Sequence, residues 1–163
     1  MRRNSPPARL QRAAMVRFGY HITHLRIVRR NIQNLLTVSA LVGLAFGAGL
    51  LVAPAALLAI YGLHTSTVGL LLARIAGVEF VGYNIVGWIA RVADPFTETS
   101  AARTVVHAHL ASETLGAIVT GWAAWQRLGN SLLWSVPLLY GVLAIAFLWA
   151  TLQLRKQQTD FRN

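Results

Sequence analysis

The chain has 163 residues, 55% of them hydrophobic and 12% charged, with a formal net charge of +10 and a mean hydropathy of +0.51. A soluble domain carries about 25% charged residues, so this composition excludes an ordinary water-soluble fold and makes membrane the default class. Cys is absent, which removes disulfides, thiolate metal centres, iron–sulfur clusters and cysteine nucleophiles in one step.

The positive charge is concentrated at the beginning of the chain. Arg2, Arg3, Arg9, Arg12, Arg17, Arg26, Arg29 and Arg30 are eight of the 15 Lys and Arg residues. Residues 1–14 are rich in Arg, Pro and polar residues without an apolar period, which predicts disorder, and Met15 offers a second possible start. Residues 15–33 differ. Phe18, Ile22, Leu25, Val28 and Ile32 recur at three- or four-residue steps among Arg17, Arg26, Arg29 and Arg30, the pattern of a basic amphipathic helix lying on anionic inner headgroups. A solvated basic tail that obeys the positive-inside rule fits the same residues. Nucleic acid is disfavoured as a partner, because a membrane surface already accounts for the charge.

Four later segments are long enough to cross a hydrocarbon core of about 30 Å, which takes about 20 helical residues. The first, 35–61, has no charged residue, is too long for the apolar stretch of a cleaved signal peptide, and should kink near its outer end at Pro54. The second, 68–90, contains Arg74 and Glu79; the third, 104–125, contains His107, His109 and Glu113; the fourth, 132–154, is uncharged and begins near Pro137. Short connections join them, as between antiparallel neighbours. Residues 34–154 thus read as an all-α, integral membrane four-helix bundle preceded by the basic amphipathic helix, with 155–163 as a tail. Arg91, Arg103, Arg155, Lys156 and Arg162 fall on the same side as the N-terminal arginines, against Arg127 on the other. Both ends are therefore expected in the cytoplasm. Trp88, Trp122, Trp125, Trp134 and Tyr61 stand near the helix ends, where amphipathic rings prefer the interface.

Lipid competes equally with Leu for apolar contact, so helix packing should rely on small residues. Gly43 with Gly47, Ala73 with Gly77, and Gly116 with Gly121 supply them. The chemically informative residues are the ionisable ones at depth, since an acid at the bilayer centre costs about 2.5–3.5 kcal/mol and needs a neutral form, a partner or a function. Glu79 lies about 17 Å from the outer end of its segment and Glu113 about 14 Å from the inner end of its own. Antiparallel helices then bring both to the midplane. Tyr83 shares a face with Glu79, and His109 shares one with Glu113. Arg74, Glu79, Tyr83, Asn84, His109 and Glu113 form the candidate intramembrane polar cluster. It could be structural, with protonated or Arg74-paired carboxyls, or could form a descending path for a proton or polar solute. Arg74 could instead snorkel outward, being about 140° around the helix from Glu79. A metal site is disfavoured because the paired Glu-x-x-His motifs of di-iron bundles are absent. A bis-imidazole haem fails because His107 and His109 point about 160° apart.

The runs GLAFGAGLLVAPAALLAIYGL at 43–63, LLLARIAGVEFVGYNIVGWIAR at 70–91 and LGNSLLWSVPLLYGVLAIAFLW at 128–149 resemble small bacterial four-helix membrane proteins of the DoxX-like class. The resemblance covers about residues 35–154 and implies a location in the bacterial inner membrane and a four-helix bundle. It carries no catalytic residue across, and the Arg-rich N-terminus and the His107–Glu113 cluster depart from it. Three functions fit. An accessory or structural subunit of a larger membrane complex, with a protein partner or a second copy, comes first. A small proton-coupled or polar-solute transporter using Glu79 and Glu113 is the alternative, although no inverted repeat is evident. A membrane redox component is the third, with no cofactor indicated and no catalytic residue identified.

Overall fold

A computed structural model describes residues 8–97 and 100–162, with the side chains of 8–24, 158 and 160–162 excepted. Among the described residues all regular structure is helical: α1 Ala8–Val52, α2 Pro54–Ile60, α3 Thr67–Ala90, α4 Ala101–Trp125 and α5 Ser135–Arg162, with a 3₁₀ turn at Ser131–Trp134 before α5. Three stretches are long and apolar enough to cross a membrane: Leu25–Val52, Thr67–Ala90 and Ser131–Gln157. Helix α4 has the length, at 25 residues, but His107, His109, Glu113 and its Ser and Thr residues leave it less apolar than those three.

No proline interrupts the chain between Pro7 and Pro54, and α1 accordingly runs for 45 residues without a break. Residues 8–14, expected to be disordered, are its first turns, because Ala, Arg, Leu and Gln there are good helix formers. The remainder of the expected disordered segment, 1–7, lies outside the described residues. The expected interfacial helix, 15–33, is no separate element but the continuation of α1. Its apolar positions Val28 and Ile32 are buried against other helices instead of facing headgroups. The first apolar segment, expected to reach Tyr61 with a kink, is divided at Ala53 (φ −137°, ψ 57°), because Pro54 cannot donate to the helical ladder and opens α2 instead. Pro137 falls in the first turn of α5, where its missing N–H costs nothing, and α5 continues through the expected tail to Arg162.

Caps and turns fix the connections. The Ser66 hydroxyl accepts from Gly69 N at 3.3 Å to start α3, and Asn130 Oδ1 accepts from Leu132 N at 3.0 Å to start the 3₁₀ turn. Asn130 also ties the two connections at one end together: its backbone N donates to Tyr61 O at 2.8 Å and its Nδ2 to Ile60 O at 2.9 Å. We call this end of the molecule the head, and the opposite end, which carries the loop from Arg91 to Ser100, the base.

The long helices pack as two intimate pairs, α1 with α3 and α4 with α5, and the pairs meet through lighter α1–α5 and α3–α4 contacts. Glycine sets both pairs. At Gly47 and Gly77 the backbones of α1 and α3 approach so closely that a Cβ on Gly77 would lie 2.9 Å from Gly47 O. At Gly116 the Tyr140 ring of α5 fills the space a side chain would take, 2.7 Å from a Cβ there. The dry core occupies the basal half, where Ile32, Leu36, Val106, Phe147 and Ala150 are fully buried.

Candidate functional site

Toward the head the two helix pairs enclose a cavity of about 360 Å³. Its walls come from α1 (Ser39, Val42, Gly43, Phe46), α3 (Glu79, Phe80, Tyr83, Asn84), α4 (Ser112, Glu113) and α5 (Leu139, Tyr140, Leu143), with Tyr61, Ser135 and Val136 nearest the head. The cavity lies on the seam between the pairs because each pair is closed by its own glycine contacts, while the seam carries larger side chains at this level.

Among the described residues Glu113 is the most buried acid, 7% exposed, with the Ser39 side chain beside its carboxyl. Its Oε2 is buried without a hydrogen-bond partner. The Tyr83 hydroxyl is also buried and makes no hydrogen bond, with the Ser112 side chain alongside. A buried polar atom without a partner costs roughly 1–3 kcal/mol, and here two such atoms belong to residues that line one cavity. Asn84 is held differently. Its Nδ2 donates to Phe80 O at 2.8 Å, and its side chain occupies the space opposite Gly43, so any larger residue at 43 would collide with it.

Beneath the cavity His109 closes the way toward the base. Its ring is fully buried, stacked on Tyr83 at 4.5 Å between centroids and tilted against Phe147 at 4.8 Å. Gly87 leaves room for it: a Cβ there would stand 3.2 Å from His109 Cε1. His109 Nδ1 lies 3.1 Å from Val105 O, and since a carbonyl only accepts, Nδ1 carries the proton. That leaves Nε2 as an acceptor, buried and unpartnered. Below this layer come the fully buried apolar residues of the core, with Thr151 and Gln157 as buried polar residues nearer the base.

Of the six residues in the sequence-derived cluster, the fold brings Glu79, Tyr83, Asn84 and Glu113 to one cavity and sets His109 directly under it. Glu79 is exposed and stands at the cavity's rim. Arg74 is exposed on α3 and does not line the cavity; the expected pairing with a buried carboxylate is not formed, because its position on α3 turns it away from the seam. His107 gives its Nδ1 to Arg103 O at 2.9 Å and is also outside the cavity, so the expected descending path ends at His109. Arg26, Arg29 and Arg30 are exposed toward the base, and the side chain of Arg17 lies outside the described residues. Among the described residues no group of three His, Asp or Glu is close enough to share a metal ion.

Sequence reasoning passed over Ser39, Phe46, Ser112 and Tyr140, and read Tyr61 as an interfacial ring only. A helical signal was present: Ser39, Gly43 and Phe46 recur at one-turn steps, as do Val136, Tyr140 and Leu143, so each set shares a face. Neutral residues inside apolar segments raise no energetic alarm, which is why the acids alone drew attention. Comparison with protein-family models, curated proteins and solved structures finds no match for this chain.

Proposed function

We propose that this chain is an integral protein of the bacterial inner membrane, a four-helix bundle crossing four times with both ends cytoplasmic, and that it serves as an accessory or structural subunit of a larger membrane complex. The membrane part of this reading is supported by apolar side chains that point away from the protein along whole helices. Leu71, Leu72, Ile75, Val78, Ile85, Val86 and Ile89 of α3 are all exposed, a surface far more apolar than water tolerates. The orientation is supported by cations gathered at the base. Arg91 there donates from Nε to Trp88 O at 3.0 Å and lays its guanidinium 3.7 Å over the Trp88 ring, an arrangement suited to the headgroup level.

The observation that carries the subunit reading is the outer face of α4. Of the four long helices it is the one without a stretch apolar enough to cross a membrane by composition, and it exposes Thr104, Ala108, Ala111 and Thr114 beside Leu115. Thr104 and Thr114 donate their hydroxyls to Ser100 O at 3.4 Å and to Leu110 O at 2.7 Å, so both are satisfied within the chain. Such a surface gains little from lipid and lets another helix approach closely. The occupant that fits is a transmembrane helix of a partner protein. The transporter alternative needs a route from the cavity to the base, and the packed layer of His109, Phe147, Leu36 and Ile32 between them lends it no support.

The test is purification of the tagged full-length protein in mild detergent, with mass spectrometry of what accompanies it. A stoichiometric partner that is lost on Ala108→Leu with Ala111→Leu, with the protein still folded, supports the reading. A lone species whose wild-type proteoliposomes move a solute, and lose that flux on Glu113→Gln, refutes it in favour of transport.

A further inference from the structure

We propose that the cavity between the two helix pairs is a binding site for a small organic cation, an amine or quaternary ammonium with apolar substituents. This goes beyond the subunit reading and does not depend on it.

Charge comes first. Glu113 sits at the cavity wall with an unpartnered carboxylate oxygen while 93% buried, the complement of its 7% exposure, and Glu79 stands at the rim. Among the described residues no Lys, Arg or His lines the cavity. An anionic ligand would meet two carboxyls and nothing to balance it, whereas a cation would supply the partner that Glu113 Oε2 lacks.

The rest of the lining selects the kind of cation. Phe46, Tyr61, Phe80, Tyr83 and Tyr140 bring five aromatic rings to a single cavity. Phe46 lies 5.9 Å from Phe80, tilted by 48°, and 6.4 Å from Tyr61 between centroids, tilted by 52°, so three of the rings form one cluster on the cavity wall. Aromatic faces attract a cation whose charge is spread and weakly hydrated, and enclosures of this kind suit alkylated ammonium groups. A small hydrated metal ion fits poorly, since it needs several oxygen ligands at short range and would find one carboxyl exposed at the rim and the other buried in the wall. The volume, about 360 Å³, lies near the lower end of the range of roughly 300–1,000 Å³ for small-molecule sites. It therefore takes a compact cation. Because the basal side is sealed, the ligand enters and leaves by the head side or from the lipid.

The experiment is isothermal titration of the purified full-length protein in mild detergent with benzyltrimethylammonium, followed by competition with choline and with the uncharged isostere of choline in which carbon replaces the quaternary nitrogen. Saturable binding is expected, displaced by choline and at least tenfold less well by the isostere. Glu113→Gln should weaken it at least tenfold and Phe46→Leu several-fold, while Arg74→Gln, outside the cavity, leaves it unchanged. The absence of saturable binding, an isostere that competes as well as choline, or a folded Glu113→Gln protein that binds like wild type would each overturn the proposal. Should Glu113→Gln fail to fold, the choline and isostere comparison on the wild-type protein still decides it.

Discussion

Gly77 offers the sharpest test of how the first helix pair is held. A Cβ at 77 would lie 2.9 Å from Gly47 O, 3.0 Å from Leu50 Cβ and 3.0 Å from Leu51 N. Two of these are backbone atoms of α1, which no rotamer change can move. Restoring ordinary contact, 3.4 Å or more, requires α1 and α3 to part by about 0.5 Å, and a gap of that size forfeits about a quarter of the dispersion energy of each atom pair across it. Overpacking of this kind costs about 1–3 kcal/mol, offset by up to about 1 kcal/mol from replacing Gly by Ala in a helix. Gly77→Ala should therefore destabilise by about 1–2 kcal/mol. Gly82, on the same helix, has nothing within 4 Å of its would-be Cβ, so Gly82→Ala keeps only the propensity gain, about 0.5–1 kcal/mol. Denaturation with sodium dodecyl sulfate in mixed micelles, followed by circular dichroism, measures the difference between the two variants, expected to be about 2 kcal/mol. If Gly77→Ala proves as stable as Gly82→Ala, the close α1–α3 approach is not what holds the pair.

Three further outcomes are expected. Asn130→Ala removes the Nδ2 bond to Ile60 O and the cap on Leu132 N, and should cost about 1–2 kcal/mol in the same assay while raising protease sensitivity of the head connections. Phe147→Ala opens the sealing layer under His109 and should cost about 3–5 kcal/mol, against under about 1.5 kcal/mol for Phe147→Leu; equal effects would mean that the layer is not tightly packed. The chain has no Cys, so single cysteines report access directly. In intact cells an impermeant maleimide should label a cysteine replacing His64 or Arg127. One replacing Arg155 should react only after permeabilisation, and one replacing Ile32 should react in neither case.

Much of the helical plan is legible in the residues. Proline positions and apolar runs locate α3 and the head-side breaks, and the glycines of the first and second pairs can be named as packing positions from their spacing. The inward acid could be named too, because a carboxyl in an apolar segment is costly wherever it points. Its partner could not: Glu79 and Glu113 are the same group at similar depth, yet one stands exposed at the rim and the other is buried, a difference set by the rotation of each helix.

What the chain determines by itself is periodicity and composition: which stretches are helical, which residues share a face, and that those faces are too apolar for water. Periodicity says that Val28 and Ile32 lie together but not what covers them, and headgroups or another helix satisfy the same pattern. The tertiary structure decides in favour of burial within the protein. It likewise gathers Ser39, Tyr83, Ser112, Glu113 and Tyr140 from four helices around one cavity. No local signal could do this, because contact between helices distant in sequence depends on which face each turns to its neighbour, and that is settled by close packing at Gly47, Gly77 and Gly116.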